Sequence, residues 1–369
     1  MRILFNADWQ FAKIHVDNRM GANGTPVFYS PDEFYEKAAG LDYSPVTLPH
    51  DYLISQVNDL YENSVGFYRK RFVIEDLTDR TALRFEGVYM NSALWVNGQK
   101  AFEWKYGYTA FEADITPFAK EGENLVELVC VYQAPNSRWY SGAGIYRDVY
   151  LVQNSLPFLV NDGVYFCAKK AEVRSYRVFI SCELAAEMGL SSPSLLSHCS
   201  LSCSLENKSL STAHHPGRKV WEASLGPSSM VPLYGQELSD YQRAVSGVSG
   251  YAIVQSDREF ELDDVLEWDP DVPNLYTLTV NLIKDGRLVD SLSQDVGFRD
   301  IVMDADRGLL LNGRPFKVNG VCGHHDLGAL GAAFDIEAVN RKALVLRRMG
   351  VNAVRTSHNP VPPAYLDLM

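Results

Sequence analysis

Three residues near the end of the sequence carry the side chains best suited to chemistry. Arg355 and His358 stand three apart in Asn352-Ala-Val-Arg-Thr-Ser-His-Asn-Pro360, and His324 lies in Gly320-Val-Cys-Gly-His-His-Asp326. A guanidinium can fix a carboxylate in one rotamer through paired hydrogen bonds. An imidazole can hydrogen-bond hydroxyls or the charge that develops in a transition state. A single Arg or His is more often a surface or packing residue. Three of them at neighbouring strand ends could converge on one site.

The elements that must position them read as follows. Pro315-Phe-Lys-Val-Asn-Gly-Val321 has the pattern of a buried strand. Asp335 is a plausible N-cap for a helix through Met349, with Ile336, Val339, Ala343, Leu346 and Met349 at helical spacing. Glu337 early and Arg347-Arg348 late suit the helix dipole, and Gly350 closes the element. Val351-Asn-Ala-Val354 is the next strand. Strand, helix, strand is a βαβ unit, and in (β/α)₈ barrels active sites form at the C-terminal ends of the strands, where these three residues fall. A full barrel needs about 250 residues. Residues 303–369 therefore predict only the start of an incomplete (β/α)₈ TIM barrel.

The rest of the chain is mainly β. In residues 1–154, Gly66–Ile74 puts Phe67, Arg69, Arg71 and Val73 on one face and Tyr68, Lys70, Phe72 and Ile74 on the other. Ala82-Leu-Arg-Phe-Glu86 also alternates, Asn97-Gly98 is a strong hairpin-turn signal, and Asn124–Tyr132 is a long strand. No helical periodicity interrupts them, which predicts a jelly-roll β-sandwich. In residues 155–302, Tyr176–Cys182 and Tyr276–Ile283 frame an immunoglobulin-like β-sandwich, with Lys284-Asp-Gly-Arg287 as a turn. The stretch from 190 to 250 is rich in Ser, Gly and Pro, and long, partly mobile loops are expected there.

Composition removes other classes. The chain has 34 basic and 46 acidic residues, a net charge of −12, so no basic stripe is available for nucleic acid. There is no apolar run of about 18 residues to span a membrane. No signal peptide is evident at Met1-Arg-Ile-Leu-Phe-Asn, and a cytoplasmic location is expected, a trimmed leader aside. Six Cys at 130, 167, 182, 199, 203 and 322 show no paired framework and read as free thiols of a reducing compartment. His198-Cys199, Cys203 and His214-His215 lack the spacing of a zinc finger, so no metal is assigned to this chain. Gly142-Ala-Gly144 fails as a dinucleotide loop, because Arg147 stands where the third Gly belongs and a strand follows.

The order jelly roll, immunoglobulin-like sandwich and barrel resembles glycoside hydrolase family 2, the β-galactosidase-like group. Strings that carry the resemblance are Val46-Thr-Leu-Pro-His-Asp51, Ser64-Val-Gly-Phe-Tyr-Arg69, Trp95-Val-Asn-Gly98 and Gly144-Ile-Tyr-Arg-Asp-Val149. Leu311-Asn-Gly-Arg-Pro-Phe316, Gly320–Asp326 and, most specifically, Asn352–Pro360 carry it at the barrel entrance. The resemblance implies a retaining exo-β-glycosidase working by double displacement, most readily on a β-galactoside. It implies that Arg355 orients the nucleophilic carboxylate, that His358 and His324 contact the sugar, and that Asn63 and Trp139 reach the subsite from the first domain. Retaining glycosidases need two carboxylates about 5–5.5 Å apart. In this family the acid/base is a Glu directly after an Asn, and no Asn-Glu occurs in the sequence. No catalytic residue is therefore expected in this chain, which predicts that it is inactive alone. Metal ligands for Mg or Na are implied only beyond residue 369, and a homo-oligomer is one arrangement the family uses. The alternatives are a non-catalytic carbohydrate-binding scaffold, one half of a split enzyme, or a trimmed piece whose barrel start leaves strand edges and an apolar face open.

Overall fold

The computed structural model describes residues 1–55, 59–187, 198–208, 218–225, 230–232 and 251–369. They form two compact units. Met1–Ser155 joins Gly320–Met369 in one, and the described residues of 156–319 form the other.

The first unit is built on an antiparallel sandwich. One sheet runs in the order Arg2–Leu4, Val149–Asn154, Arg80–Phe85, Phe111–Asp114. The other runs Ser44–Val46, Trp9–His15, Ser64–Ile74, Gly122–Tyr132, Ser92–Val96, Gln99–Trp104. Tyr68, Phe72 and Ile74 point inward and pack with Leu83, Phe85, Leu94 and Leu128, as the alternation of the sequence requires. Lys70 shares that inward face. Its ammonium reaches the carbonyls of Phe5 and Ala7 at 3.2 and 2.9 Å, and burial pushes its pKa down. Asn97 and Gly98 both have positive φ, as a two-residue type I′ turn demands between Val96 and Gln99.

One expectation for this sandwich needs correction, that no helical element interrupts the strands. A 3-10 helix, Pro31–Gly40, covers the outer face of the larger sheet, with Phe34 and Ala38 against Val65, Phe67 and Trp95. Its signal was a capping box: the Ser30 amide donates to Glu33 at 2.8 Å, and the Ser30 hydroxyl accepts from the Asp32 amide. The element is too short and too tightly wound to show a 3.6-residue period. In the smaller sheet all six residues of Arg80–Phe85 are buried. Arg80 pairs there with Glu112, and Arg84 donates to Glu86 at 2.8 Å, so the polar face is satisfied by ion pairs.

Gly320–Cys322 and Ala353–Arg355 pair in parallel, Gly320 opposite Ala353 and Cys322 opposite Arg355. Between them runs the helix Ile336–Arg348, whose Asp335 cap accepts from the Ala338 amide at 2.8 Å. Gly350, at φ +82°, ends it. Val339 is buried, whereas Leu344, Val345 and Met349 are exposed. The buried strand expected over 315–321 is not one element. Arg314–Pro315 closes an antiparallel hairpin with Gly308–Leu311, and residues 317–320 are exposed. The apolar residues Phe316, Val318 and Val321 suggest a strand, but strand pairing is found at the two ends of the run, Arg314–Pro315 and Gly320–Cys322.

The second unit is the immunoglobulin-like sandwich. Phe158–Glu172, Ser175–Glu187, Tyr251–Leu262 and Met230–Pro232 make one sheet, and Arg218–Leu225, Cys199–Asn207, Tyr276–Lys284 and Arg287–Val296 the other. Asp285 and Gly286, both at positive φ, form the expected turn. Cys199–Asn207 corrects the weak pattern read for this region, since Cys199, Leu201, Cys203 and Leu205 alternate inward with Ser between them. The small outward Ser residues made this look like a loop sequence. Arg218–Leu225 and Met230–Pro232 are likewise strands where loops were expected, and the remaining residues of that expectation, the His214-His215 pair among them, lie outside the described residues. Among the described residues, no helix is long and apolar enough to cross a membrane.

Candidate functional site

The site lies in the first unit, where the parallel strand ends meet the loop between Tyr132 and Ile145. Gly320–Cys322 delivers His324 to its end, and the Gly323 amide donates to the Arg355 carbonyl at 2.8 Å, keeping the strands in register past their last pair. The Lys342 ammonium, from the helix, donates to the His324 carbonyl at 3.0 Å. The His324 ring stacks on Trp139, centroids 4.3 Å apart and planes 13° from parallel. Trp139 donates its indole N–H to Asp326 at 2.8 Å. The His358 ring stands 6.4 Å from His324 at a steep angle.

Of the five residues expected at the site, Trp139, His324 and His358 come together. Arg355 is exposed at the end of its strand, directly opposite Cys322. The exposed Cys322 thiol is held below its ordinary pKa by hydrogen bonds from Ser357 and Arg355 and by the Arg355 charge. Asn63 acts at the base of the loop, where its side-chain oxygen accepts from the Ala134 amide at 2.7 Å.

Four further residues belong to the arrangement. Asp326, quoted only as part of a string, orients Trp139. His325 accepts or donates at the Ser141 carbonyl (2.9 Å), faces Tyr108 edge-on, and is kept below its ordinary pKa chiefly by burial, with the Arg147 charge adding to it. Arg147 is buried and donates to the carbonyls of Glu86, Tyr108 and Pro360 at 3.2, 3.2 and 2.8 Å. Asp51 is a buried carboxylate facing Tyr140 and Ala332. The failed dinucleotide glycines have a packing role instead: a Cβ on Gly144 (φ +114°) would lie 2.2 Å from the Tyr68 hydroxyl oxygen.

A half-exposed indole, two imidazoles and a carboxylate thus share one face. The aromatic plane offers a surface for the apolar side of a sugar ring, and the polar groups can donate to and accept from its hydroxyls. Among the described residues, no group of three or more His, Cys, Asp or Glu is placed to hold a metal.

Comparison with known proteins decides the family. The sugar-binding domain model of glycosyl hydrolases family 2 matches residues 6–155, a model described as glycosyl hydrolases family 2 matches 233–299, and the family's TIM barrel domain model matches 302–369. The chain belongs to glycosyl hydrolases family 2. It is 32% identical to a β-galactosidase of Bacteroides ovatus over 99% of this chain and 39% of that protein. It is 27% identical to a putative β-glucuronidase of Formosa agariphila over 92% of this chain and 30% of that one. The fold matches a family 2 crystal structure from Bacteroides cellulosilyticus at TM-score 0.75 and 26% identity, covering all of this chain and 46% of that one. This family 2 chain spans less than half the length of each.

Proposed function

We propose that the chain is the N-terminal part of a retaining exo-β-glycosidase that acts on β-galactosides, and that its face around His324 forms part of the sugar subsite. The observation that carries the reading is the Trp139–His324 stack, with Asp326 holding the indole. It joins a sandwich loop to a barrel strand end in one polar, aromatic surface. In this reading His324 and His358 hydrogen-bond sugar hydroxyls, and Arg355 orients the carboxylate nucleophile that a complete barrel supplies. Double displacement needs that nucleophile and an acid/base carboxylate about 5–5.5 Å apart. With no Asn-Glu in the sequence, this chain turns over no glycoside by itself. A galactoside is favoured by the 32% identity to the Bacteroides ovatus β-galactosidase, and a glucuronide is the second reading because a relative is named a putative β-glucuronidase. The exposed Leu344, Val345 and Met349 favour a role as one part of a larger assembly over that of a free-standing scaffold.

The test is calorimetric titration of the full chain with galactose, a galactose-type lactam and glucuronate. Binding of the galactose compounds with a Kd on the order of 1 mM or tighter, lost in both Trp139→Ala and Arg355→Ala, supports the reading. A folded chain that binds none of them refutes the subsite, and tighter binding of glucuronate overturns the choice of sugar.

A further inference from the structure

Asp51 sits where three separate stretches of chain converge, and nothing in the chemistry described so far uses it. Its side chain is buried. One carboxylate oxygen accepts from the amides of Leu53 and Ala143 at 3.1 and 3.0 Å. The other accepts from the Tyr140 hydroxyl and from the Ala332 amide, the latter at 2.8 Å. Four donors fill the acceptor capacity that two carboxylate oxygens can offer in these directions. No cation supplies them; three are backbone amides and one is a phenol.

Two glycines close over this carboxylate. A Cβ on Gly142 would lie 2.6 Å from an Asp51 oxygen, and one on Gly331 would lie 2.3 Å from the same oxygen. Both glycines have positive φ, +68° and +61°. The backbone therefore approaches Asp51 as closely as a chain without side chains can. Tyr140 and Ala143 belong to the loop that carries Trp139. Ala332 lies shortly after His324 and Asp326, the two residues that touch Trp139. The Leu327 amide donates to the Gly331 carbonyl at 2.7 Å, which folds the segment from Asp326 back toward Ala332.

We propose that Asp51 is a positioning residue for the subsite: by holding Tyr140, Ala143 and Ala332 on one carboxylate, it sets Trp139 against His324 and Asp326. The inference rests on the subsite reading for its functional consequence but not for its geometry. Replacement by Asn is nearly isosteric and exposes the dependence. Whichever way the amide is turned, its NH₂ faces at least one backbone N–H, because each oxygen of the acid accepts from at least one amide. One of the two segments must then move away from the other.

The experiment uses the full chain grown with 5-fluorotryptophan, with Trp139→Phe to assign the Trp139 ¹⁹F resonance. In Asp51→Asn the Trp139 resonance is expected to shift and broaden, and galactose-lactam affinity to fall about tenfold or more. Leu83→Ala, a core change elsewhere in the same unit with a comparable loss of melting temperature, is expected to leave the Trp139 resonance in place. If Asp51→Asn does not fold, Gly331→Ala pushes on the same carboxylate from the barrel side and is expected to give the same signature. An unchanged Trp139 resonance in a folded, destabilised Asp51→Asn or Gly331→Ala overturns the proposal and leaves Asp51 a stability element. A Trp139 resonance that moves in a chain that binds no sugar supports the positioning role while refuting the subsite reading, so the two failures are distinguishable.

Discussion

Acid should unfold the first unit through His50. This residue follows Pro49 and precedes Asp51, and its ring is largely buried between Phe11 and Tyr68, with ring Nδ1 2.9 Å from the Tyr68 hydroxyl. Burial lowers its pKa from 6.5 to about 4, and the Asp51 charge only partly opposes the effect. The sign follows from proton counting. Between about pH 4 and 6.5 the unfolded chain carries a proton on His50 and the folded chain does not, so stability falls as pH falls through that window. At 1.36 kcal/mol per pH unit, the gap between the two pKa values amounts to about 3 kcal/mol. That is a large fraction of a domain's usual margin of about 5–15 kcal/mol. The assay is urea unfolding of the full chain at half-unit steps from pH 7 to 4, for the parent and for His50→Asn. Asn can accept from Tyr68 at the Nδ1 position without titrating. Because the chain has two compact units, the transitions must be followed separately. Trp9, Trp95, Trp104 and Trp139 report the first unit, and Trp221 and Trp268 report the second. The parent should lose about 3 kcal/mol more than the variant between pH 7 and 4 in the first-unit transition alone, with the steepest difference near pH 5. Parallel pH profiles for the two proteins would refute the reasoning, since the difference between them removes every other titrating group.

Three further outcomes follow from the geometry. Arg147→Ala should destabilise the first unit by about 3–5 kcal/mol, because three carbonyls, those of Glu86 and Tyr108 buried, lose a charged donor; limited proteolysis should then clip residues 320–369 much faster than in the parent. Gly144→Ala should cost at least about 3 kcal/mol or abolish soluble expression, since the new methyl meets the Tyr68 hydroxyl and the His50 carbonyl at a backbone angle that L residues avoid; a melting temperature equal to the parent's would contradict this. Cys322 should be the first thiol alkylated by iodoacetamide near neutral pH, ahead of the exposed Cys167, and Arg355→Ala should slow it roughly two- to tenfold as the stabilising cation is lost. Peptide mapping after brief exposure gives both rates.

What the sequence made legible was whatever depends on neighbours along the chain. The Asn97-Gly98 and Asp285-Gly286 turns need positive φ at two adjacent positions, and their residue types declare it. The helix from Ile336 was visible because its cap, its charges and its closing glycine all lie within fifteen residues. His324 and His358 could be placed at strand ends because a βαβ unit fixes which ends lie together. The run 315–321 misled because apolar residues say that a segment could be a buried strand, not whether a partner strand runs along its whole length.

The contacts that assemble the site, though not Trp139 and His324 themselves, escaped for the same physical reason. The Trp139–His324 stack joins positions 185 residues apart, and Asp51 gathers donors from Leu53, Tyr140, Ala143 and Ala332. No local pattern marks a carboxylate that is satisfied by distant amides, because amides are present at almost every residue. Only the glycines gave a signal, since Gly142 and Gly331 are required where backbone must pass within contact distance of a side chain at positive φ. Glycines in strings such as Ser141-Gly-Ala-Gly144 invite a ligand reading, yet here the group they approach is the protein's own carboxylate. The distinction has a physical test in any such chain: a glycine that admits a ligand leaves open space where a Cβ would stand, whereas Gly142 and Gly331 would drive that Cβ into Asp51.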